Sequence, residues 1–346
     1  MHAMPHPSQF IAKEISGNIR SRSAEAEASG QLHPEVLNII YRNNWFNLFV
    51  PTEHGGLGLP FLNGLHIQEA LAWTDGSAGW TVTLCSGANY FIGFLAPDAS
   101  KEVFKNSHVC LAGSGRPSGV ARKVKDGYEI NGRWKYATGA PHATVFTAVC
   151  IIEDDDGKRE HASWFYKKEV TIHKDWNTTG LIATASHSFE VKDVVVPSNR
   201  FFIIDPSHAV LPEPIYQYPF LQFAEATLAV NMAGMAMHFI DLAKDIFKQR
   251  ILYQNKATEA ERLLNNARRL FYKLIHESWH QLISHTSIKQ ELLNKVSNAS
   301  RGLAATARHQ VEALYPYCGL IAATPGSTIN RVWRDLHTAS QHPLVY

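Results

Sequence analysis

The chain has 346 residues, 45% of them hydrophobic and 18% charged, and its 33 Lys and Arg against 31 Asp and Glu leave a net charge of +2. That much apolar surface excludes a disordered chain and suffices for two or three cores, while the even charge excludes a general affinity for nucleic acid or membrane surfaces. Four isolated cysteines with no C-x-x-C pair, an N-terminus without a basic and apolar leader, and apolar runs such as 143–152 that are too short to cross a bilayer point to a soluble, cytoplasmic protein.

Residues 1–106 read as a helical domain. Phe10, Ile11, Ile15 and Ile19, then Val36, Leu37 and Ile40, then Leu62, Leu65, Ile67, Ala70 and Leu71 recur at three-to-four spacing, the period that gathers apolar side chains on one helix face. The Pro and Gly cluster at 51–58 interrupts them as a loop. Residues 107–205 change to short β-like runs at 109–112, 120–124, 128–130, 133–137, 145–151, 162–166 and 189–196, with turns at Asp126-Gly127, Asn131-Gly132 and Asp155-Asp156-Gly157. Many short strands with tight turns predict a small β-sandwich or barrel. In residues 206–346 the helical period returns over 220–249, 258–286, 288–317 and 328–340, which predicts an antiparallel four-helix bundle. The expected fold class is α+β, mostly α. Arg262, Arg268 and Arg269 interleave with Glu259 and Glu261 as a solvated helix face would.

The segments Gly30-Gln31-Leu32-His33-Pro34-Glu35, Asn44-Trp45-Phe46 and Val50-Pro51-Thr52-Glu53-His54-Gly55-Gly56-Leu57-Gly58 are followed in the β block by Asn131-Gly132-Arg133-Trp134-Lys135-Tyr136-Ala137-Thr138-Gly139 and Phe189-Glu190-Val191. In this order, and across three differently patterned blocks, they resemble the acyl-CoA dehydrogenase superfamily. The resemblance implies a flavin enzyme and leaves two branches open. Dehydrogenases hold FAD and need an ionised carboxylate as base; two-component monooxygenases borrow reduced flavin from a separate reductase and oxygenate a small aromatic or heterocyclic molecule.

The C-terminal segment Arg331-Val332-Trp333-Arg334-Asp335, followed by His342, resembles the monooxygenases, as does 116–122. His342 is the candidate acid/base group. Glu225, early in the first long bundle helix, is the candidate dehydrogenase base, one residue out of the family's register as judged by Gly234. The segment 247–252 has no Arg-x-x-Phe-Gly element of the kind that holds the ADP half of FAD, so reduced FMN is the expected cofactor and FAD the alternative. Two departures stand out: no His occurs near Ala88 and Asn89, and Ile182 replaces an Arg in 180–186. They keep a third reading open, a flavin-free binding protein on the same fold.

The resemblance places Thr138 and Gly139 at the flavin edge, where a neutral hydroxyl and close backbone approach suit a redox ring, with Trp134 as wall or core and Thr184 and Ser186 as nearby hydroxyls. His276-Glu277-Ser278-Trp279-His280 satisfies the zinc-peptidase spacing H-E-x-x-H without a recognisable third ligand, so no metal is expected. Apolar pairs Leu263-Leu264, Leu270-Phe271 and Leu274-Ile275 occupy more than one helix face and, with the family's dimer-of-dimers, imply a homotetramer.

Overall fold

The computed structural model describes residues 4–154, 157–285 and 287–346. Five helices come first: α1 (Lys13–Ser29), α2 (Pro34–Arg42), α3 (Phe61–Thr74), α4 (Gly76–Asn89) and the short α5 (Pro97–Val103). Their ends follow local chemistry. The His33 ring accepts the Glu35 N–H ahead of α2, with Pro34 at the first helical position, the Asp75 carboxylate accepts the Ala78 N–H ahead of α4, and α1 stops at Gly30, whose φ of 69° suits glycine.

Among the described residues seven strands follow: β1 (Leu111–Val124), β2 (Gly127–Ala137), β3 (Val145–Asp154), β4 (Gly157–Tyr166), β5 (Thr171–His173), β6 (His187–Val196) and β7 (Phe201–Phe202). They are hydrogen-bonded without a break in the order β5-β6-β2-β1-β3-β4-β7, with β1 and β3 parallel. The runs at 109–112 and 120–124 are joined in the single strand β1, irregular between Ser114 and Gly119. Asn131-Gly132 is not a turn but part of β2, where the pairing with β6 shifts. The glycine there answers to packing: Gly119 and Gly132 face each other across the ladder, and a Cβ on Gly119 would lie 2.2 Å from the Trp134 ring. Trp134 fills that space, fully buried, stacked on Phe189 with centroids 5.3 Å apart and donating its Nε1–H to the Val149 carbonyl at 2.9 Å. It is a core residue of the sheet. Asp155 and Asp156, in the third expected turn, lie outside the described residues.

The chain then forms α6 (Phe220–Phe247), α7 (Ile251–His285), α8 (Gln290–Cys318), the one-turn α9 (Leu320–Ala323) and α10 (Thr328–Ala339). The helix α7 begins at Ile251, earlier than the periodicity from residue 258 predicts. By length and composition α6 could cross a membrane, but 89% of its most apolar window is buried inside the protein, which makes it the core helix of the bundle. It lies so close to α3 that a Cβ on Gly234 would fall 2.2 Å from the Glu69 carbonyl oxygen. Of the paired leucines and their neighbours on α7, Leu264, Phe271 and Ile275 belong to this core, whereas Leu270 faces outward.

A fully buried ion pair joins α3 to the bundle helix α7. Glu69 on α3 and Arg268 on α7 are both 0% exposed and meet in two bonds, Nε to Oε1 at 2.6 Å and Nη2 to Oε2 at 2.9 Å. The Tyr272 hydroxyl donates to the same carboxylate at 2.8 Å, and Arg268 also donates to Asn265 and to the Pro5 carbonyl. Arg268 is therefore not part of a solvated face. Six residues turn a helix by about 240°, so Arg262 can pair with Glu259 at the surface while Arg268 points inward. Breaking such a pair from one side leaves a buried charge without a partner, so Glu69→Ala is expected to cost about 3–5 kcal/mol in urea denaturation. Equal stability of variant and wild type would contradict this reading of the pair.

Candidate active site

A cavity of about 250 Å³ lies where α4, α6, the sheet and the last turn of the chain meet. Its floor is the backbone and small side chains of 112–115 on β1 and 147–149 on β3; its walls are Leu84, Phe91, Phe220, Phe223 and Leu228; Thr138 and His342 reach it from opposite elements. Among the described residues that line it, His342 is the only titratable side chain, and none is Asp, Glu, Lys or Arg. Ala88, next to Asn89 in the stretch where the resemblance leads one to expect a His, is among the lining residues.

Thr138 follows the end of β2, where Tyr136 (φ 69°) and Gly139 (φ 76°) bend the chain through left-handed conformations. The Gly139 N–H donates to the Thr184 carbonyl at 2.9 Å, bringing three hydroxyls into one chain. Thr138 Oγ1 lies 2.8 Å from Ser186 Oγ, Ser186 Oγ lies 2.8 Å from Thr184 Oγ1, and Thr184 Oγ1 donates to the Leu181 carbonyl at 2.8 Å. Each hydroxyl has one proton, and three protons must serve these three bonds. The carbonyl can only accept, so Thr184 donates to it, Ser186 donates to Thr184, and Thr138 donates to Ser186. The Thr138 oxygen is left toward the cavity as an acceptor. Thr184 and Ser186 are buried behind it and do not line the cavity.

That hydroxyl chain depends on a strained turn. Leu181 (φ 53°) and Ala185 (φ 46°) flank the 3-10 turn Ile182–Thr184 in conformations that cost side-chain-bearing residues about 1–3 kcal/mol each. Asp335 on α10 holds the turn by accepting the Leu181 N–H at 2.6 Å, and Trp176 Nε1–H donates to the Leu181 carbonyl at 2.9 Å. Next to Asp335, Arg334 donates to the Thr179 carbonyl and pairs with Glu27 of α1, which Arg331 also meets. The Arg-x-x-Arg-Asp segment thus anchors the turn from behind. Its role was not readable from the sequence, because the partner of Asp335 is a backbone N–H 154 residues away.

His342 precedes the final turn Pro343–Val345, and its Nδ1 accepts the Leu344 N–H at 3.3 Å. The ring packs beside Trp80 at 6.1 Å. Burial pushes its pKa down to about 4, so it is neutral at physiological pH, and with Nδ1 accepting, the proton resides on Nε2. Glu225 is elsewhere: its carboxylate pairs with Arg301 of α8 at 2.5 Å and does not line the cavity, although its neighbours Ala224 and Thr227 do. One residue turns a helix by about 100°, which is the register difference visible in the sequence. Ile182 is half-buried in the strained turn. His276 and His280 are exposed, with ring centroids 6.4 Å apart, and Glu277 pairs with Lys273; among the described residues no three His, Cys, Asp or Glu side chains come together as metal ligands.

Comparison with known proteins gives a consistent picture. Family models described as the N-terminal and the C-terminal domain of acyl-CoA dehydrogenase match residues 8–104 and 218–346. The chain is 26% identical over 338 residues to an indole-3-acetate monooxygenase of Pseudomonas putida, covering 93% of this chain and 86% of that protein. It is 25% identical over 353 residues to the oxygenase subunit HsaA of a flavin-dependent monooxygenase of Mycobacterium tuberculosis, covering 94% and 88%. The HsaA crystal structure superposes with a TM-score of 0.91 over 96% of this chain and 93% of that one, at 22% identity. XiaF from Streptomyces, solved with FADH2 and glycerol, gives 0.88 over 98% and 92%, at 17% identity.

The anchor carries its own pH signature. Burial, and next the nearby Asp75 carboxylate, push the pKa of Asp335 up to about 7, against about 3.9 in an unfolded chain. Ionisation is thus disfavoured in the folded state: below about pH 4 the group costs nothing, and its contribution to stability falls as pH rises from about 4 to about 7. Asp335→Asn keeps an oxygen for the Leu181 N–H and removes the ionisation. The melting temperature of the variant relative to wild type is expected to rise between pH 5 and pH 8, as read by scanning calorimetry; a constant difference would refute it.

Proposed function

Because the chain belongs to the acyl-CoA dehydrogenase superfamily, we propose that it is the oxygenase component of a two-component flavin-dependent monooxygenase, acting in the cytoplasm on a small aromatic or heterocyclic molecule with reduced flavin from a separate reductase. The observation that carries this reading is the cavity lining, which contains one neutral histidine and no carboxylate. A dehydrogenase needs an ionised base against its substrate, and Glu225 is occupied by Arg301 outside the cavity.

The floor fits a flavin ring. Ala112, Gly113, Ser114 and Gly115 offer small side chains and backbone against which a ring could lie, and Thr138 adds a neutral acceptor. Reduced flavin, when bound, supplies the activation of oxygen and the transfer of one oxygen atom to the substrate. The protein supplies the surroundings. Thr138, its proton committed to Ser186, would accept from an N–H of reduced flavin and would have no proton to offer a bare ring nitrogen. The phenylalanine and leucine walls exclude water, which strengthens every polar contact inside. His342, neutral and with Nδ1 already accepting the Leu344 N–H, would offer its Nε2–H to the bound molecule as a hydrogen-bond donor.

The nucleotide form is a finer step. The missing Arg-x-x-Phe-Gly element favours reduced FMN, since a pyrophosphate without cationic partners forgoes charge-assisted bonds of about 1.5–3 kcal/mol each; the FADH2 held by XiaF supports the alternative. Assembly is read as a homotetramer through the outer bundle face, where Leu270, Ile283 and Leu320 are exposed.

Three measurements test this reading. In anaerobic calorimetry, reduced FMN is expected to bind at least about tenfold tighter than oxidised FMN, a difference of 1.4 kcal/mol, and Ser186→Ala, which frees the Thr138 proton, is expected to narrow that ratio. Absence of binding by any flavin would favour a flavin-free protein, and tighter binding of reduced FAD would reverse the choice of nucleotide. With reductase and substrate present, His342→Ala is expected to slow product formation about tenfold, the scale of one lost hydrogen bond of about 1.5 kcal/mol to the reacting molecule, with reduced-flavin affinity unchanged. Sedimentation is expected to show a tetramer that Leu270→Glu with Leu320→Glu dissociates; a wild-type monomer at micromolar concentration would rule out the assembly.

A further inference from the structure

We propose that the cavity selects an uncharged, planar ring compound that presents one hydrogen-bond acceptor to His342, and that it rejects carboxylates. The reading rests on the oxygenase assignment only for what happens to the compound after it binds.

Charge selection follows from what surrounds the cavity. No Lys or Arg lines it. Arg116, just beyond the floor segment, is exposed to solvent, and Arg301 is held by Glu225. His342 cannot become the missing cation without breaking a bond already made, because protonating Nδ1 would set two donors face to face at the Leu344 N–H. A carboxylate in this cavity would thus leave water with no positive partner, and an unpaired buried charge is among the most costly states a site can hold. The methyl group of Ala88 continues the apolar lining.

Shape and polarity narrow the choice further. Phe220 and Phe223 lie nearly parallel at 23°, with Phe91 5.6 Å from Phe220, so the wall offers aromatic faces to a flat molecule. Of the lining hydroxyls, Thr227 donates its proton to the Ala224 carbonyl at 2.9 Å, Thr138 is an acceptor by the proton count above, and Thr83, Ser114 and Thr147 add neutral hydroxyls that carry no charge. At the other end His342 offers Nε2–H as a donor, which asks for a lone pair on the bound ring: a ring nitrogen, an ether oxygen or a carbonyl. This assigns His342 a role in choosing the compound, and sets the cavity apart from one built around an acid.

The test uses three probes of similar outline: quinoline, neutral with an acceptor nitrogen at pH 7.5; naphthalene, neutral without a heteroatom; and 2-naphthoate, an anion. Binding to the purified full chain is measured by calorimetry under anaerobic conditions, with and without reduced FMN. Quinoline is expected to bind about tenfold tighter than naphthalene, and naphthoate at least about tenfold weaker than either. In His342→Phe the preference for quinoline over naphthalene disappears, and in His342→Asn, which keeps an N–H donor, part of it returns. Naphthoate binding as tightly as quinoline to the wild type overturns the proposal without any variant, and so does a quinoline preference that survives His342→Phe. Failure of flavin to bind would count against the oxygenase reading and leave these ring affinities to be judged separately.

Discussion

The hydrogen bond from the Leu181 N–H to Asp335 holds together a region that local preference would not fold. Two side-chain-bearing residues in left-handed conformations bracket the turn Ile182–Thr184, and neither is stable there alone. With the turn fixed by α10, the Thr184 carbonyl receives Gly139, and the three hydroxyls fall into a single file ending at the cavity. Precision at Thr138 is thus inherited from a carboxylate that never touches the cavity. The arrangement places a buried acid of raised pKa behind the site, a cost in stability accepted where geometry matters.

The electrostatics of the front face are opposite in character. Where the resemblance leads one to expect a His and an Arg, this chain has Ala88 and Asn89, and Ile182, and the cavity is lined by carbon and hydroxyl groups around one neutral ring. Polar contacts in so dry a space are few, and each is correspondingly directional.

Much of the architecture was legible in the sequence. The three-to-four spacing marked the helices, the β-branched runs marked the sheet, and the antiparallel bundle followed from helix lengths and short breaks. The misreadings share a physical cause. Gly132 was read as a turn because glycine serves turns and close packing alike, and only the Trp134 ring tells them apart. Arg268 was read as surface because neighbouring charges in sequence suggested i,i+4 pairs, whereas its partner Glu69 is 199 residues away. Thr138, Ser186 and Thr184 were expected near one another from the resemblance, but the direction in which their protons point depends on three distances at once. Glu225 was a candidate base one residue out of register, and its partner Arg301, 76 residues further along the chain, could not be read from the local pattern.

The Glu69 and Arg268 pair also has a consequence for the order in which the chain is made. Glu69 leaves the ribosome 199 residues before Arg268, and at about 5–20 residues per second that is an interval of roughly 10 to 40 s. During this time α3 cannot pair its carboxylate, and the Pro5 carbonyl, which also accepts from Arg268, is left to water. The N-terminal helices must therefore remain hydrated along the face that α6 and α7 later cover. Translation speed through α7 and the capacity of chaperones to shield that apolar face, more than the intrinsic helicity of the early segments, set how much of the nascent chain reaches the native state.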